Sequence, residues 1–261
     1  MPMLKVEGAG VFYSVAGDGI PIIFIHPPLL TSANFTYQMK ELSSTFKVIT
    51  FDIRGHGRSR YSKQAITYSL IVDDIRHLLD HLGIKKAFIC GYSTGGSIVC
   101  EFMLTHSDRA LGGIIISGMS EASDMYLRKK ISLAKNLSNP KSLSILASAI
   151  AWGNADNQEI FKLMYSEAVK GDPRNIKQYY HYSLHYNCTN LLGKINLPIL
   201  LVYGTKDKSF HQYAQLLHEK LPRNQLKFLE KERHQIPTKA ARELNQLITQ
   251  FLIQGDKRQN Y

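Results

Sequence analysis

A mostly parallel α/β sheet with helices on both faces is the fold class this sequence predicts, on three observations. Short apolar, β-branched runs alternate with segments of helical period along most of the chain. One such run, residues 86–90, feeds directly into Gly91-Tyr92-Ser93-Thr94-Gly95-Gly96, with small residues opening the next helical segment. Residues 120–193 break the alternation, carrying helical patterns and no convincing strand.

Residues 4–7 and 11–15 flank Gly8-Ala9-Gly10 and read as an opening hairpin. The dense apolar run 21–26 is a buried strand, and 32–46 carries a helical pattern behind Thr31 or Ser32 as the cap. Strand 47–52 ends in the glycine-punctuated loop Asp52-Ile53-Arg54-Gly55-His56-Gly57-Arg58-Ser59. Residues 68–82 put Leu70, Ile71, Ile75, Leu78, Leu79 and Leu82 at helical spacing, and Gly83 is the stop. After strand 86–90 come a helix over 95–105 and a strand over 111–117. Helical segments follow at 126–136, 142–151, 158–169 and 175–186. Strand 198–203, helix 211–221, strand 226–229 and an amphipathic closing helix over 238–252 complete the order, with a frayed tail at 254–261. The result is an eight-stranded, mostly parallel core formed by residues 1–119 and 194–261, with a helical lid, 120–193, inserted after the sixth strand.

The chemistry is concentrated at Ser93. A serine on a tight strand-to-helix turn needs strained backbone angles and neighbours nearly free of side chains, which Gly91 and Gly95 supply. The amide of Thr94 then lies at a helix N-terminus, where developing negative charge is favoured. A serine hydroxyl is a weak nucleophile at neutral pH and requires a base whose tautomer is fixed by a partner. Asp207 directly follows strand 198–203, on the sheet edge where α/β folds place their sites. His234 occupies the loop before the last helix. Glu121 and Asp124, after the sixth strand, are rival positions for the acid.

In that order and spacing the chain resembles the α/β-hydrolase superfamily from its first strand to its last helix. The resemblance rests on His26-Pro27-Pro28, the loop running from Asp52 to Ser59, Gly91-Tyr92-Ser93-Thr94-Gly95, Gly204-Thr205-Lys206-Asp207 and the late His234. It implies a Ser93, His234, Asp207 triad, acyl-enzyme chemistry and a lid between the sixth and seventh strands. His56 belongs to the Arg-Gly-His-Gly-Arg turn and is expected to be structural. The expected reaction is hydrolysis of a carboxylic ester, thioester or lactone. Cofactor-free haloperoxidase or perhydrolase activity, C–C bond hydrolysis, and a ligand-binding signalling protein on the same fold stay open.

The loop after the third strand departs from the family pattern. Relatives carry His-Gly-x, and the amide of x helps to hold the oxyanion; here Pro27 and Pro28 have no N–H to donate. Loss of one such donor typically costs roughly 10²–10³ in turnover. Either the loop is displaced so that Leu29 offers its amide, the favoured expectation, or Thr94 works with a side chain or water.

Composition narrows the classes. With 44% hydrophobic and 20% charged residues the chain is of ordinary globular type. The net charge of +11 is spread, with no arginine-rich run or basic stripe, so nucleic acid is not expected as a partner. Cys90, Cys100 and Cys188 have no metal-ligand spacing and are expected to be reduced thiols. No motif requires a cofactor or metal; His181 and His185 fall on one helical face without a third ligand. The first residues lack an apolar h-region and no run reaches the ~18 apolar residues of a membrane span. The expectation is a cytoplasmic protein with a small-molecule substrate, no membrane partner and an unspecified oligomeric state. The sole tryptophan, Trp152, and the tyrosines of 178–186 are expected to pack the lid onto the core.

Overall fold

The computed structural model describes residues 2–257. Its sheet comprises β1 (Met3–Val6), β2 (Ala9–Ala16), β3 (Pro21–Ile25), β4 (Lys47–Phe51), β5 (Ala87–Tyr92), β6 (Ala110–Ile116), β7 (Ile199–Gly204) and β8 (Asn224–Leu229). The strand order is β1-β2-β4-β3-β5-β6-β7-β8, and the antiparallel pairings are those of β2 with β1 and with β4. The chain therefore starts at the outer edge with β1 and enters the parallel part of the sheet at β3, between β4 and β5, so that the loops leaving β3, β5, β6 and β7 gather at one edge.

The period of two along each strand builds two cores. Ile23, Ile25, Ile89, Ile115 and Leu201 face one layer, while Ile22, Phe24, Phe88, Ile114, Ile116 and Leu200 face the other. The first layer is covered by α2 (Tyr68–His81) and α3 (Thr94–Thr105), the second by α1 (Thr36–Leu42) and the final helix. Complete burial of each of these side chains contributes about 1.5–3 kcal/mol. Cys90, Cys100 and Cys188 are all buried and unpaired.

Between β6 and β7 lie α4 (Met125–Leu137), α5 (Leu143–Asn154), α6 (Gln158–Ala168) and α7 (Pro173–His185). The segment's entry and exit are tied together: Glu121 bridges to Asn187, Cys188 N–H donates to Ser120 O at 3.1 Å, and the Ser120 and Thr189 hydroxyls lie 2.8 Å apart. The chain then passes β7, α8 (Lys208–Lys220) and β8.

Several elements differ from the sequence expectation. The helix expected over 32–46 is a 3-10 turn, Ser32–Phe35, followed by α1, which stops at Leu42 because Ser43, Ser44 and Thr45 are poor helix formers. Thr31 is its cap, accepting from Ala33 N–H at 3.2 Å. The closing helix is split into α9 (Ile236–Lys239) and α10 (Ala241–Lys257) at Ala240, whose φ of −131° is not helical. Bonds to the carbonyl of Pro237 from Gln38 and from Thr238 to the carbonyl of Asn154 hold the short α9 in its own direction. The tail expected to fray from 254 remains helical to Lys257; residues 258–261 lie outside the described residues. Trp152 does not pack onto the core: it is 70% exposed, its ring edge-on to Phe161. Tyr179 and Tyr180 of the same insertion are buried. Among the described residues no helix is long and apolar enough to cross a membrane.

Candidate active site

Strand β5 delivers Ser93 at φ 54° and ψ −122°, a left-handed conformation unfavourable for any residue with a Cβ. The strain is held by bonds on both sides: Ser93 N–H donates to Ile116 O at 2.8 Å and its carbonyl accepts from Gly96 N–H at 2.9 Å. Both flanking glycines are sterically required. A Cβ on Gly91 would strike the carbonyl of Gly95, and one on Gly95 would strike the carbonyl of Ile25 in β3. Close approach of α3 to β3 and β5 is what lifts the Ser93 hydroxyl above the sheet edge.

The acid and base loops are built around each other. Gly204 ends β7 against the carbonyl of Glu232, leaving no space for a side chain, and Lys206 N–H donates to that carbonyl at 2.8 Å. Asp207 immediately precedes α8, where an aspartate ordinarily caps the helix, but its side chain caps nothing. Its Oδ2 lies instead 2.8 Å from His234 Nδ1, and His234 Nε2 lies 3.1 Å from Ser93 Oγ. Phe210 and Tyr92 flank the imidazole, with ring centroids at 4.2 and 5.4 Å. With Nδ1–H donating to the carboxylate, Nε2 is left free to accept the Ser93 hydroxyl proton.

The other sequence candidates are differently engaged. Asp124 caps α4 at Leu127 N–H and accepts from Tyr213 Oη at 2.5 Å, whereas Glu121 pairs with Asn187. His56 is fully buried with its Nδ1 3.1 Å from Arg54 O, and burial with His26 nearby holds its pKa down to about 3. His181 and His185 sit together with ring centroids 4.4 Å apart, and neither lines the cavity at Ser93.

That cavity, about 240 Å³, is lined by Ser93, Thr94, His234 and Asp207 together with Pro27, Pro28 and Leu30. Leu29 packs its side chain into the core at φ 71° and is not among the lining residues; among the described residues its N–H donates to no protein group. Thr94 Oγ1 is buried without a partner. Leu127, Lys130 and Ile131 of α4, Ile150 of α5 and Tyr180 of α7 form the part of the wall that the helical insertion contributes, together with Asn154 at the end of α5. Of these wall residues the sequence marks Tyr180, within the tyrosine run 178–186; Leu127, Lys130, Ile131 and Ile150 carry no motif, although the i, i+4 pair Leu127 and Ile131 is the apolar stripe of a predicted helix. Lys130 is the cation of the wall; its ammonium lies 4.2 Å from the Tyr126 ring centroid, and among the described residues it forms no ion pair.

Comparison with known proteins identifies the family and the fold. The model of the Hydrolase_4 family, described as serine aminopeptidase, S33, matches residues 23–239. The AB hydrolase superfamily protein YisY of Bacillus subtilis is 31% identical over 124 residues, so the match spans about half of each protein, 47% of this chain and 46% of that one. Carboxylesterase YbfK of Bacillus subtilis is 24% identical over 92% of this chain and 82% of its own length. Among solved structures, the enol-lactonase from Burkholderia xenovorans LB400 has a TM-score of 0.84 at 19% identity, covering 97% of this chain and 100% of that one. A strained serine between two obligatory glycines, on an eight-stranded sheet of this order and within a match spanning most of the sequence, makes this chain a member of the Hydrolase_4 family of α/β-fold hydrolases.

Proposed function

We propose that the protein is a serine hydrolase cleaving a carboxylic ester, thioester or lactone of small size, with Ser93 as nucleophile, His234 as general base and acid, and Asp207 as the group that orients His234. One observation carries the reading: the unbroken chain of contacts from Asp207 through His234 to Ser93 Oγ, at 2.8 and 3.1 Å. The name of YbfK, a carboxylesterase aligned over most of both chains, supports the same bond type. The cavity lies just below the ~300–1,000 Å³ usual for small-molecule sites, which favours short acyl groups.

Ser93 Oγ attacks the carbonyl carbon as its proton passes to His234 Nε2, and the carbonyl electron pair moves onto oxygen. Asp207 stabilises the resulting imidazolium. The amide of Thr94, at the start of α3, holds the oxyanion, and Leu29 is the second donor, its N–H being the first past the two prolines. Collapse expels the alcohol or thiol, which takes the proton from Nε2. Water then repeats the sequence on the acyl-enzyme, releasing the acid. Residues 120–193 act as a lid over a core of 1–119 and 194–261, and its α4, α5 and α7 contribute to the wall.

A fluorophosphonate probe tests the assignment. Wild type is expected to gain one adduct by intact mass, Ser93→Ala none, and His234→Ala is expected to lose at least ~10³-fold in turnover of a short-chain nitrophenyl ester. An unlabelled wild type would sink the serine-hydrolase reading in favour of a ligand-binding role. A panel of acyl lengths, thioesters and lactones orders the substrates.

A further inference from the structure

The loop preceding Leu29 cannot be secured by its own backbone donors, because Pro27 and Pro28 have none. It is secured through its acceptors instead. The carbonyl of His26 accepts from Tyr179 Oη at 3.0 Å, that of Pro27 faces His26 Nδ1 at 2.9 Å, and that of Pro28 accepts from Tyr180 Oη at 3.3 Å. Ile53 N–H donates to His26 Nε2 at 2.9 Å, which puts the ring's single proton on Nδ1 and makes Nδ1 the donor to Pro27. Burial holds the pKa of His26 down to about 4, so this neutral form persists at physiological pH.

Three consecutive carbonyls are thus held by side chains, two of them by adjacent tyrosines of α7, both buried. The peptide joining Pro28 to Leu29 is planar and trans, so fixing the Pro28 oxygen fixes the Leu29 N–H in the opposite direction. Leu29 itself sits at φ 71°, a conformation uncommon for a residue with a Cβ.

We infer that Tyr179 and Tyr180 are positioning residues that clamp the His26-Pro27-Pro28 loop from α7 and thereby aim the Leu29 amide at the oxyanion, so that full activity requires α7 to be seated. The inference rests on the serine-hydrolase reading above. It replaces the flexibility a glycine would give this loop with a rigid aim supplied by another part of the fold.

The test compares Tyr179→Phe and Tyr180→Phe with Tyr68→Phe, which removes a buried hydroxyl bonded to Ser183 of α7 at 3.0 Å without touching the loop. Active sites are counted with the fluorophosphonate, and kcat and KM are measured per labelled site, together with the affinity of a trifluoromethyl ketone that forms an oxyanion. Misaiming one donor is expected to lower kcat about tenfold in Tyr180→Phe and less in Tyr179→Phe, with KM within about twofold and ketone affinity falling in parallel. Tyr68→Phe is expected to lose melting temperature and keep its kcat. Wild-type kcat per site in both loop variants, or an equal loss in Tyr68→Phe, overturns the inference while leaving the hydrolase reading intact. If one loop variant yields no folded protein, the other carries the comparison. A wild type that neither labels nor turns over ester overturns both.

Discussion

The two halves of the helical insertion are attached to the sheet by different physics. The α6 and α7 half is bolted, from the end of α6 through α7, by directional polar contacts. Arg58 meets Glu167 through two bonds of 2.9 Å, and Gly55 O accepts from Asp172 N–H at 2.8 Å. Asn175, fully buried, accepts from Ser62 N–H at 2.8 Å and donates to Ser62 O at 3.1 Å. Burial works to raise the Glu167 pKa, yet the bonds from Arg58 and Lys170 prevail and hold its carboxyl below the usual range. The α4 and α5 half is tied to the core at its ends, by Asp124 to Tyr213 and by Asn154 to Tyr92 at 3.0 Å. Between those points it offers apolar side chains inward, Leu127, Ile131 and Ile150, and outward, with Leu133, Ile145 and Trp152 each at least 60% exposed. Hydrogen bonds specify one orientation, whereas apolar contact tolerates sliding. One half can therefore aim a loop, and the other can adjust to a substrate.

Acid should break this contrast first. His26 and His56 lie beneath α7, with the His56 ring 5.6 Å from that of Tyr179 and 5.3 Å from that of His26. Both have folded-state pKa values, about 4 and about 3, below the 6.5 of the unfolded chain. The unfolded state therefore binds more protons as pH falls: their stabilisation is complete above pH 6.5 and is lost progressively towards pH 4 and 3, at up to about 1.4 kcal/mol per pH unit for each ring. Asp52 and Asp74, raised by burial, act in the opposite sense at the acid end. Imidazole NMR separates the contributions. Both rings are expected to stay neutral at pH 5, and a ring titrating near 6.5 in the folded protein would contradict the claim.

Substitution tests the same contrast on each side. Asn175→Ala leaves both Ser62 backbone groups buried without partners and is expected to cost about 2–3 kcal/mol in urea denaturation. Trp152→Ser, on the other half, is expected to fall within about 0.5 kcal/mol, and a cost near that of Asn175→Ala would mean that both halves are equally anchored. The emission of Trp152 is expected to be readily quenched by iodide. Weak quenching would mean that the ring is covered and that α5 is held more tightly than its exposure implies. Lys130→Met should produce the smallest effect, a loss of about three- to fivefold in kcat/KM for esters bearing a carboxylate and none for neutral esters, because a rim charge in contact with water is worth at most about 1 kcal/mol. Equal losses on both ester types would make Lys130 a packing residue.

The apolar runs at 21–26, 86–90 and 198–203 specify buried strands whatever surrounds them, and Gly91, Ser93 and Gly95 specify a turn that few other sequences can form. Local chemistry suffices there because strand alternation and glycine's backbone freedom act over a few residues. The splitting of the last helix at Ala240 was not legible, since it follows from contacts of Pro237 and Thr238 with residues far away in the chain. Trp152 misled for a related reason: its size argues for burial, but its place on α5 faces it outward.

By itself, then, the sequence determined the sheet, the strained serine and the absence of donors at Pro27 and Pro28. Only the tertiary structure decided that Asp207 reaches His234 rather than capping α8, and that Tyr179 and Tyr180 reach back some 150 positions to hold the proline loop. Propensity and periodicity are local properties of the chain, whereas a hydrogen bond between distant residues exists only once the packing of sheet and helices has fixed their separation and direction.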